Sequence, residues 1–195
     1  MKCNINHRDS CRDTDRIPEY EDRKPHPRPH PKHQAETILR CGTSVGSTPL
    51  SCNGPILDGA AWYPTVLATV ALDTSHLIDP TVKIDFSSLI SFKTTNDINY
   101  FLRLVFKLSK ICCGSPIPLG TWSFEKIRSE EAVAVVGSFV QETDSFCFSW
   151  CGCEDCPDCC RYIVEIVDQQ CYNIDFVAVN SISLTALAVG LKKVY

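Results

Sequence analysis

The feature that most constrains the fold is an alternation of side chains with period two. Between residues 82 and 86, apolar side chains alternate with Lys83 and Asp85. Residues 98–110 show the same pattern, with an apolar side chain at every even position up to 108. This alternation is typical of a half-buried β-strand, because successive side chains of a strand point to opposite faces of the sheet. It fits residues 98–110 better than the i, i+3, i+4 stripe of a helix.

Further segments rich in Val, Ile, Phe and Thr predict strands at 65–72, 121–127, 132–140, 145–151, 161–167, 173–179 and 182–189. Turn-forming residues separate them, notably Asp79-Pro80 and residues 114–116. No segment between these strands has a convincing helical period. About eight to ten short strands without helices predict an all-β fold, an antiparallel β-sandwich or jelly roll.

The composition changes sharply near residue 37. Residues 1–37 hold eight Lys/Arg, seven Asp/Glu and five of the twelve prolines, but almost no large apolar residue. Such a segment cannot bury enough surface to offset its ordering entropy, so we predict a flexible connector arm over residues 1–37. Its residues 24–33 have proline at every second position, which favours an extended spacer about 30 Å long. Residues 38–195 are predicted to form the β-sandwich domain.

Several classes of function are disfavoured. The net charge of −4 argues against nucleic-acid binding, which needs a basic surface. The sequence contains no run of about 18 apolar residues, so membrane insertion is not expected. Its first residues lack the apolar stretch of a secretory signal. The sequence contains no G-x-S-x-G motif, phosphate-binding loop or dinucleotide glycine pattern. We therefore expect neither an enzyme nor a cofactor.

Cysteine is the unusual component, with thirteen residues in the chain. Six of them lie within fourteen residues: Cys147, Cys151, Cys153, Cys156, Cys159 and Cys160. If residues 145–151 form a strand, Phe146, Phe148 and Trp150 share one face, and Cys147 and Cys151 lie on the other. The aromatic face would join the core, and the cysteines would face solvent, a partner chain or a covering loop.

A metal site is one explanation for this cluster. The C-x2-C-x2-C spacing resembles a ligand set, and four thiolates satisfy a tetrahedral zinc. The candidate zinc ligands are Cys153, Cys156, Cys159 and Cys160. However, no second well-spaced C-x2-C pair lies outside the cluster.

Disulfide bonding is the explanation that the spacing favours. In an extended chain, the adjacent pairs Cys112-Cys113 and Cys159-Cys160 would point in opposite directions, which suits two different partners better than one metal. A third interpretation, buried free thiols packed as small apolar groups, suits Cys52 and Cys171 individually.

Cys3 and Cys11 lie in the arm, so they cannot be core residues. They are either incidental exposed thiols or the means by which the arm is fixed covalently to another molecule. The odd number of cysteines, thirteen, leaves at least one without an intrachain partner and so favours intermolecular bonding.

Five blocks of the sequence resemble a family of proteins with a domain of unknown function from spore-forming clostridia and related Firmicutes. The blocks are ILRCGT (38–43), LDTSHLIDPTVKIDFSSLI (72–90), FKLSKICCGSPIPLGTWSF (106–124), FCFSWCGCEDCPDCCRYIVEI (146–166) and SLTALAV (183–189). The resemblance covers roughly residues 38–190, and the cysteine block is its most specific part.

In architecture this family is similar to the subunits of endospore appendages, which are pilus-like fibres. Those subunits are jelly-roll domains with a flexible N-terminal connector, whose cysteines bond to cysteines of preceding subunits. The resemblance implies that Cys3 and Cys11 are connector thiols and that their acceptors are among Cys41, Cys112, Cys113, Cys147 and Cys151. Cys153, Cys156, Cys159 and Cys160 remain candidates for disulfides of the body.

The resemblance also implies a location. A spore-surface protein is made in the mother-cell cytosol without a signal peptide, and its thiols oxidise once that cell lyses. We therefore expect a non-enzymatic structural subunit that self-assembles into a disulfide-crosslinked spore-surface fibre or layer. Its expected partners are copies of itself and other spore-surface proteins. The alternatives are a zinc-binding module and a jelly-roll adhesin that binds carbohydrate or another surface.

Overall fold

The alternating sequence folds into strands throughout the part of the chain that the structure describes. This computed structural model describes residues 34–52, 64–95, 99–112, 114–129, 139–153 and 159–193, together with the backbone of residues 4–6. Within these ranges no residue is helical. The predicted all-β fold is confirmed, and residues 99–110 of the predicted segment 98–110 lie in one strand, as their alternation predicts.

The described residues form eleven strands, numbered here along the chain. They are β1 (Asn4–Asn6), β2 (Ala35–Cys41), β3 (Thr43–Ser44), β4 (Thr48–Leu50), β5 (Thr65–Asp73), β6 (Leu77–Thr94), β7 (Asn99–Ile111), β8 (Ile117–Ser129), β9 (Gln141–Cys153), β10 (Cys159–Tyr172) and β11 (Ile174–Lys192).

These strands make two sheets that pack together as a β-sandwich. The six-stranded sheet has the order β1-β9-β6-β11-β2, and β4 also pairs with β11. The five-stranded sheet has the order β3-β5-β10-β7-β8. Neighbouring strands are antiparallel except for β1 and β9, which run parallel.

Aromatic side chains from both sheets form the centre of the core. The ring of Phe148 on β9 stacks on Trp122 of β8, with centroids 4.0 Å apart, and on Phe86 of β6, with centroids 5.0 Å apart. Phe106 of β7 stacks on Phe146 of β9 at 4.4 Å. Because fully burying one such side chain contributes roughly 1.5–3 kcal/mol, this cluster joins the sheets strongly.

The chain passes from one sheet to the other at Gly42, between β2 and β3. The Gly42 N–H donates to the Leu184 carbonyl at 2.7 Å, and the Val45 N–H donates to the Leu67 carbonyl at 3.1 Å. A Cβ atom at Gly42 would lie 2.6 Å from the Thr69 carbonyl oxygen, which is too close for any other residue. One lateral side of the sandwich is thus closed by the main chain.

The prediction of uniformly short strands is wrong. The segments predicted as separate strands at 173–179 and 182–189 form the single strand β11, which has 19 residues. A register shift between Asn180 and Ser183 interrupts its pairing with β6, and Ser181 has a φ of 49°. This β-bulge lets one long strand bend where the sequence pattern suggested a break.

The predicted turn at Asp79-Pro80 is also wrong. Both residues lie inside β6, which has 18 residues. Asp79 has a φ of 46°, and the pairing with β11 shifts register between Val189 and Leu191. The irregularity predicted from Pro80 is therefore a bulge and not a loop. By contrast, residues 114–116 do separate β7 from β8. Most of the predicted strand 132–140 lies outside the described residues; 139 and 140 are described and precede β9 without strand structure.

Candidate assembly site

The cysteines of β9 point away from the core. Phe146 and Phe148 are buried and Trp150 is partly buried, whereas Cys151 and Cys153 are exposed. The predicted division of residues 145–151 into an aromatic inner face and an outer cysteine face is confirmed. Strand β9 therefore places cysteine side chains on the outer surface of the six-stranded sheet.

Two of the three cysteines of β10 point inward and are bonded within the chain. Cys160 near its start bonds to Cys112, which directly follows β7, and Cys171 near its end bonds to Cys52, which follows β4. The interpretation of Cys52 and Cys171 as free thiols is wrong. The two residues are 119 positions apart in sequence, so no local pattern indicates the bond.

A polar side chain packs against the second bond. Gln169 is 8% exposed, and its amide nitrogen lies 3.0 Å from the Ser51 carbonyl oxygen. The same nitrogen lies 3.1 Å from Cys52 Sγ and 3.2 Å from Cys171 Sγ. This contact links the segment after β4 to the end of β10. These two disulfides make the body a disulfide-stabilised β domain.

The remaining cysteines divide into bonded and free. Cys147 and Cys153 are disulfide-bonded. Among the described residues, the cysteines with free thiols are Cys41, Cys151 and Cys159, and all three are exposed. Four further cysteines lie outside the described residues, namely Cys3, Cys11, Cys113 and Cys156.

The oxidised cysteines bear on the zinc alternative. Zinc binds thiolates, but Cys160 and Cys153 are both in disulfides here. Cys159 is an exposed thiol, and Cys156 lies outside the described residues. No group of three or more potential metal ligands lies within the described part of the chain. A zinc site on these four residues would require two disulfides to be reduced.

The lateral edge of β9 is where the N-terminal strand pairs. Residues of β1 align in parallel register with β9, and the pairs are Asn4 with Phe148, Ile5 with Ser149 and Asn6 with Trp150. Strand β2 lies at the opposite edge of the same sheet. The 28 residues from 7 to 34 therefore separate two elements at opposite edges of the six-stranded sheet.

A shallow depression of about 270 Å³ lies on the outer face of the same sheet. Its polar lining includes Asp85, Ser87, Ser149, Ser183 and Thr185, and the bonded Cys147 also lines it. The Ser149 hydroxyl donates to Asp85. The hydroxyl groups can donate and accept hydrogen bonds, and the Asp85 carboxylate accepts them.

Residues 35–189 match the DUF4489 family, which is described as a domain of unknown function. The chain belongs to the DUF4489 family. A search of curated proteins gives no match to the sequence. Among solved structures, the DUF4489 chain is similar to a chain of "Structure of infectious bursal disease virus Gx strain", with 8% identity and a TM-score of 0.23. That alignment covers 83% of this chain and 40% of the viral chain, and a TM-score this low supports no argument.

The DUF4489 domain has a second lateral side, where the edge strand β8 of one sheet faces β9, the neighbour of the edge strand β1 in the other sheet. Lys126 of β8 lies 2.8 Å from Asp144 and 3.4 Å from Glu142, both of β9. The hydrogen bond with Asp144 raises the pKa of Lys126, although burial acts in the opposite direction. An ion pair therefore connects the two sheets at this side.

The described part of the DUF4489 protein contains no helix with the length and apolar character needed to cross a membrane.

Proposed function

We propose that this DUF4489 protein is a non-enzymatic structural subunit that self-assembles into a disulfide-crosslinked fibre or layer on the spore surface. In this proposal the N-terminal arm of each copy reaches a neighbouring copy. The assembly also attaches to other spore-surface proteins in this proposal. The spore location rests on the five sequence blocks, and the disulfides of the body agree with an oxidising surface environment.

The observation that most supports the proposal is the pairing of β1 with the edge of β9. A free sheet edge presents unpaired N–H and C=O groups that can pair with a strand from another chain. Proteins use this mode to recognise extended segments. In the assembly, the β1 segment of one copy would occupy the β9 edge of the next.

The length of the arm supports a neighbour as the acceptor. Strands β1 and β2 are four strand spacings apart, which is about 19 Å across the sheet. The 28 residues between them can extend about 90 Å. The arm is therefore much longer than the width of its own sheet and can span to a second copy.

The register of β1 on β9 also supports a specific partner for one arm cysteine. Asn4 pairs with Phe148, and in the sequence Cys3 directly precedes Asn4 while Cys147 directly precedes Phe148. In a parallel pair, residues that precede register partners are neighbours. We therefore assign Cys147 as the acceptor of Cys3 in the assembly. Its covalent bond would prevent the docked strand from dissociating.

The test is electrophoresis of the full-length protein without reductant, together with negative-stain electron microscopy. We expect species larger than the monomer and filaments or sheets, both lost on reduction. The variant Cys3→Ser/Cys11→Ser should lose the filaments, whereas the control Cys159→Ser should retain them. A monomer without reductant, from protein oxidised at about millimolar concentration, would refute the crosslinked assembly. Unchanged filaments from the arm variant would refute the role of the arm.

Two further measurements separate this proposal from its alternatives. Antibody labelling of intact spores should detect the protein at the surface, and labelling confined to the spore interior would contradict the location. Protein purified without oxygen should contain little zinc. One zinc per chain would instead support the metal-binding alternative based on the cysteine cluster.

A further inference from the structure

A row of apolar side chains crosses the outer face of the five-stranded sheet. Tyr172 of β10 pairs with Phe101 of β7, and Phe101 pairs with Ile127 of β8. Register partners on neighbouring strands have their side chains on the same face of a sheet. Tyr172 is 56% exposed and Ile127 is 68% exposed, with the partly buried Phe101 between them. These three residues are called the apolar row below.

A row of polar side chains runs beside the apolar row, two residues away along each strand. Gln170 pairs with Arg103, and Arg103 pairs with Glu125. Because side chains of a strand alternate between faces, these three residues share the outer face with the apolar row. They form the polar row. Their amide, guanidinium and carboxylate groups are planar, and each can make two hydrogen bonds side by side.

The two rows together match the chemistry of a sugar ring. A pyranose has an apolar C–H face and hydroxyl groups around its rim. The negative face of an aromatic ring such as that of Tyr172 attracts polarised C–H groups. Groups of the polar row can accept from and donate to the rim hydroxyls. The apolar row spans two strand spacings, about 10 Å, which is the length of roughly two linked pyranose rings.

The charges of this face favour an uncharged partner. Arg103 and Glu125 have opposite charges and lie opposite each other, so the polar row has no net charge. Further along the same face, Lys107 lies 3.4 Å from Glu165. Charged partners are recognised by surfaces with an excess of the opposite charge. A neutral ligand is the complement of a row in which the charges cancel.

The size of the apolar row argues against a second copy as its partner. A large aromatic side chain offers at most about 150–250 Å² of surface, so three partly exposed side chains offer on the order of 300 Å². A stable contact between proteins buries about 800 Å² on each partner. Strand β1 is not the partner either, because it pairs with the six-stranded sheet. A narrow strip bordered by polar groups fits a single extended chain.

From these observations we infer that the apolar and polar rows form a binding site for a neutral polysaccharide. Its pyranose rings stack on Tyr172 and lie along the apolar row, and their hydroxyl groups form hydrogen bonds with the polar row. The site does not depend on the proposed assembly, because β1 pairs with the other sheet. An assembly would repeat the site from copy to copy, so that avidity strengthens a weak single-site affinity.

The test is co-sedimentation of the full-length protein with insoluble cellulose, chitin and mannan, which are neutral polysaccharides. We expect at least one of them to retain the wild type. Tyr172→Ala should weaken this retention about five- to tenfold, because it removes the stacking ring. Tyr172→Phe keeps the ring and should bind within about twofold of the wild type. The matched control is Phe176→Ala, since Phe176 is an exposed aromatic residue on the other sheet and its loss should change nothing.

A second variant and a salt series test the polar row. Glu125 is exposed, and Glu125→Ala should weaken retention about two- to fivefold through the loss of hydrogen bonds to hydroxyl groups. Retention of the wild type should stay constant between about 0.05 M and 0.5 M salt, because a neutral ligand has no charge to screen. Retention that falls as salt rises would overturn the assignment of a neutral ligand.

Three results would overturn the inference without touching the proposed function. They are the absence of binding to all three polysaccharides, equal retention of wild type and Tyr172→Ala, and equal losses in Tyr172→Ala and Phe176→Ala. Electron microscopy of Tyr172→Ala supplies a further outcome. Filaments should form as in the wild type, and their loss would assign the apolar row to a contact between copies instead of a sugar site.

Discussion

Strands β9 and β10 both contain several cysteines but use them in opposite ways. On β10, Cys160 and Cys171 face the interior and bond to cysteines of the same body. On β9, Cys151 and Cys153 face outward on the six-stranded sheet. Both inward cysteines bond within the body, whereas the outward positions include the exposed free thiol of Cys151 as well as the bonded Cys153. An inward position therefore commits a cysteine to stabilising the domain, and an outward position does not.

The first prediction removes an inward bond of β10. Replacing Cys52 and Cys171 together with alanine should lower the free energy of unfolding by about 3–5 kcal/mol, because the bond closes a long loop that the unfolded chain would otherwise leave open. Guanidinium denaturation of the oxidised protein measures this loss.

The matched control is Cys159→Ser, since Cys159 lies on the same strand but is exposed and free. Its effect should stay within about 0.5 kcal/mol. Two results would contradict the idea that inward cysteines stabilise the domain and outward ones do not. One is a large loss of unfolding free energy in Cys159→Ser, and the other is a loss below about 1 kcal/mol in the double variant.

The second prediction concerns the inner face of β9. A Cβ atom at Gly152 would lie 2.5 Å from the indole of Trp150, which packs against the core. Gly152→Ala should therefore cost about 1–3 kcal/mol through overpacking. Thermal or denaturant unfolding measures the change. Gly114→Ala is the control, since nothing lies within 4 Å of a Cβ there, and an equal loss in both variants would refute the packing explanation.

The third prediction concerns the ion pair that joins β8 to β9. At pH 8, Lys126→Met should lower the free energy of unfolding by about 0.5–1 kcal/mol, because the group is partly exposed and screened. The pKa of Lys126 is raised in the folded state from its ordinary value of 10.5. Its contribution is therefore complete below 10.5 and is lost as the pH rises through the folded-state value.

Unfolding of wild type and variant at pH 8 and pH 11 checks this dependence. The difference between the two proteins should shrink at the higher pH. Lys126→Arg is the control, because a guanidinium keeps its charge there and should preserve its advantage over methionine. A wild-type advantage that is constant with pH would show that the packing of Lys126 matters more than its charge.

Two features of the sequence predicted most of the fold. The alternation of side chains predicted β7 and part of β6, because a sheet with one buried face requires period two wherever it is regular. Enrichment in Val, Ile, Phe and Thr predicted β5, β8, β9 and β10. Period two also predicted which side chains of residues 145–151 face the core and which face outward. The family resemblance is confirmed for residues 35–189 at the level of a domain of unknown function.

The features that the sequence could not predict arise where the structure departs from the period-two alternation or where a strand is too short to show it. A register shift between Ile166 and Asp168 of β10 changes which positions face inward. Without it, Cys171 would share the outer face with Arg161, and the bond to Cys52 could not form. The pairing of β1 with β9 was also missed, since a three-residue strand has too few side chains for any periodic signal.

The placement of β1 and β2 at opposite edges of one sheet has a consequence for how much protein is needed to polymerise. A copy that docks its own β1 supplies that strand to its own edge at an effective concentration on the order of millimolar. Other copies compete with it only when they are present at similar density. In dilute protein, each copy would therefore keep β1 paired with its own β9. In concentrated protein, β1 of one copy would pair with β9 of another, and the copies would link into chains. In the proposed assembly, the length of the linker between β1 and β2 would set the protein density at which polymerisation begins.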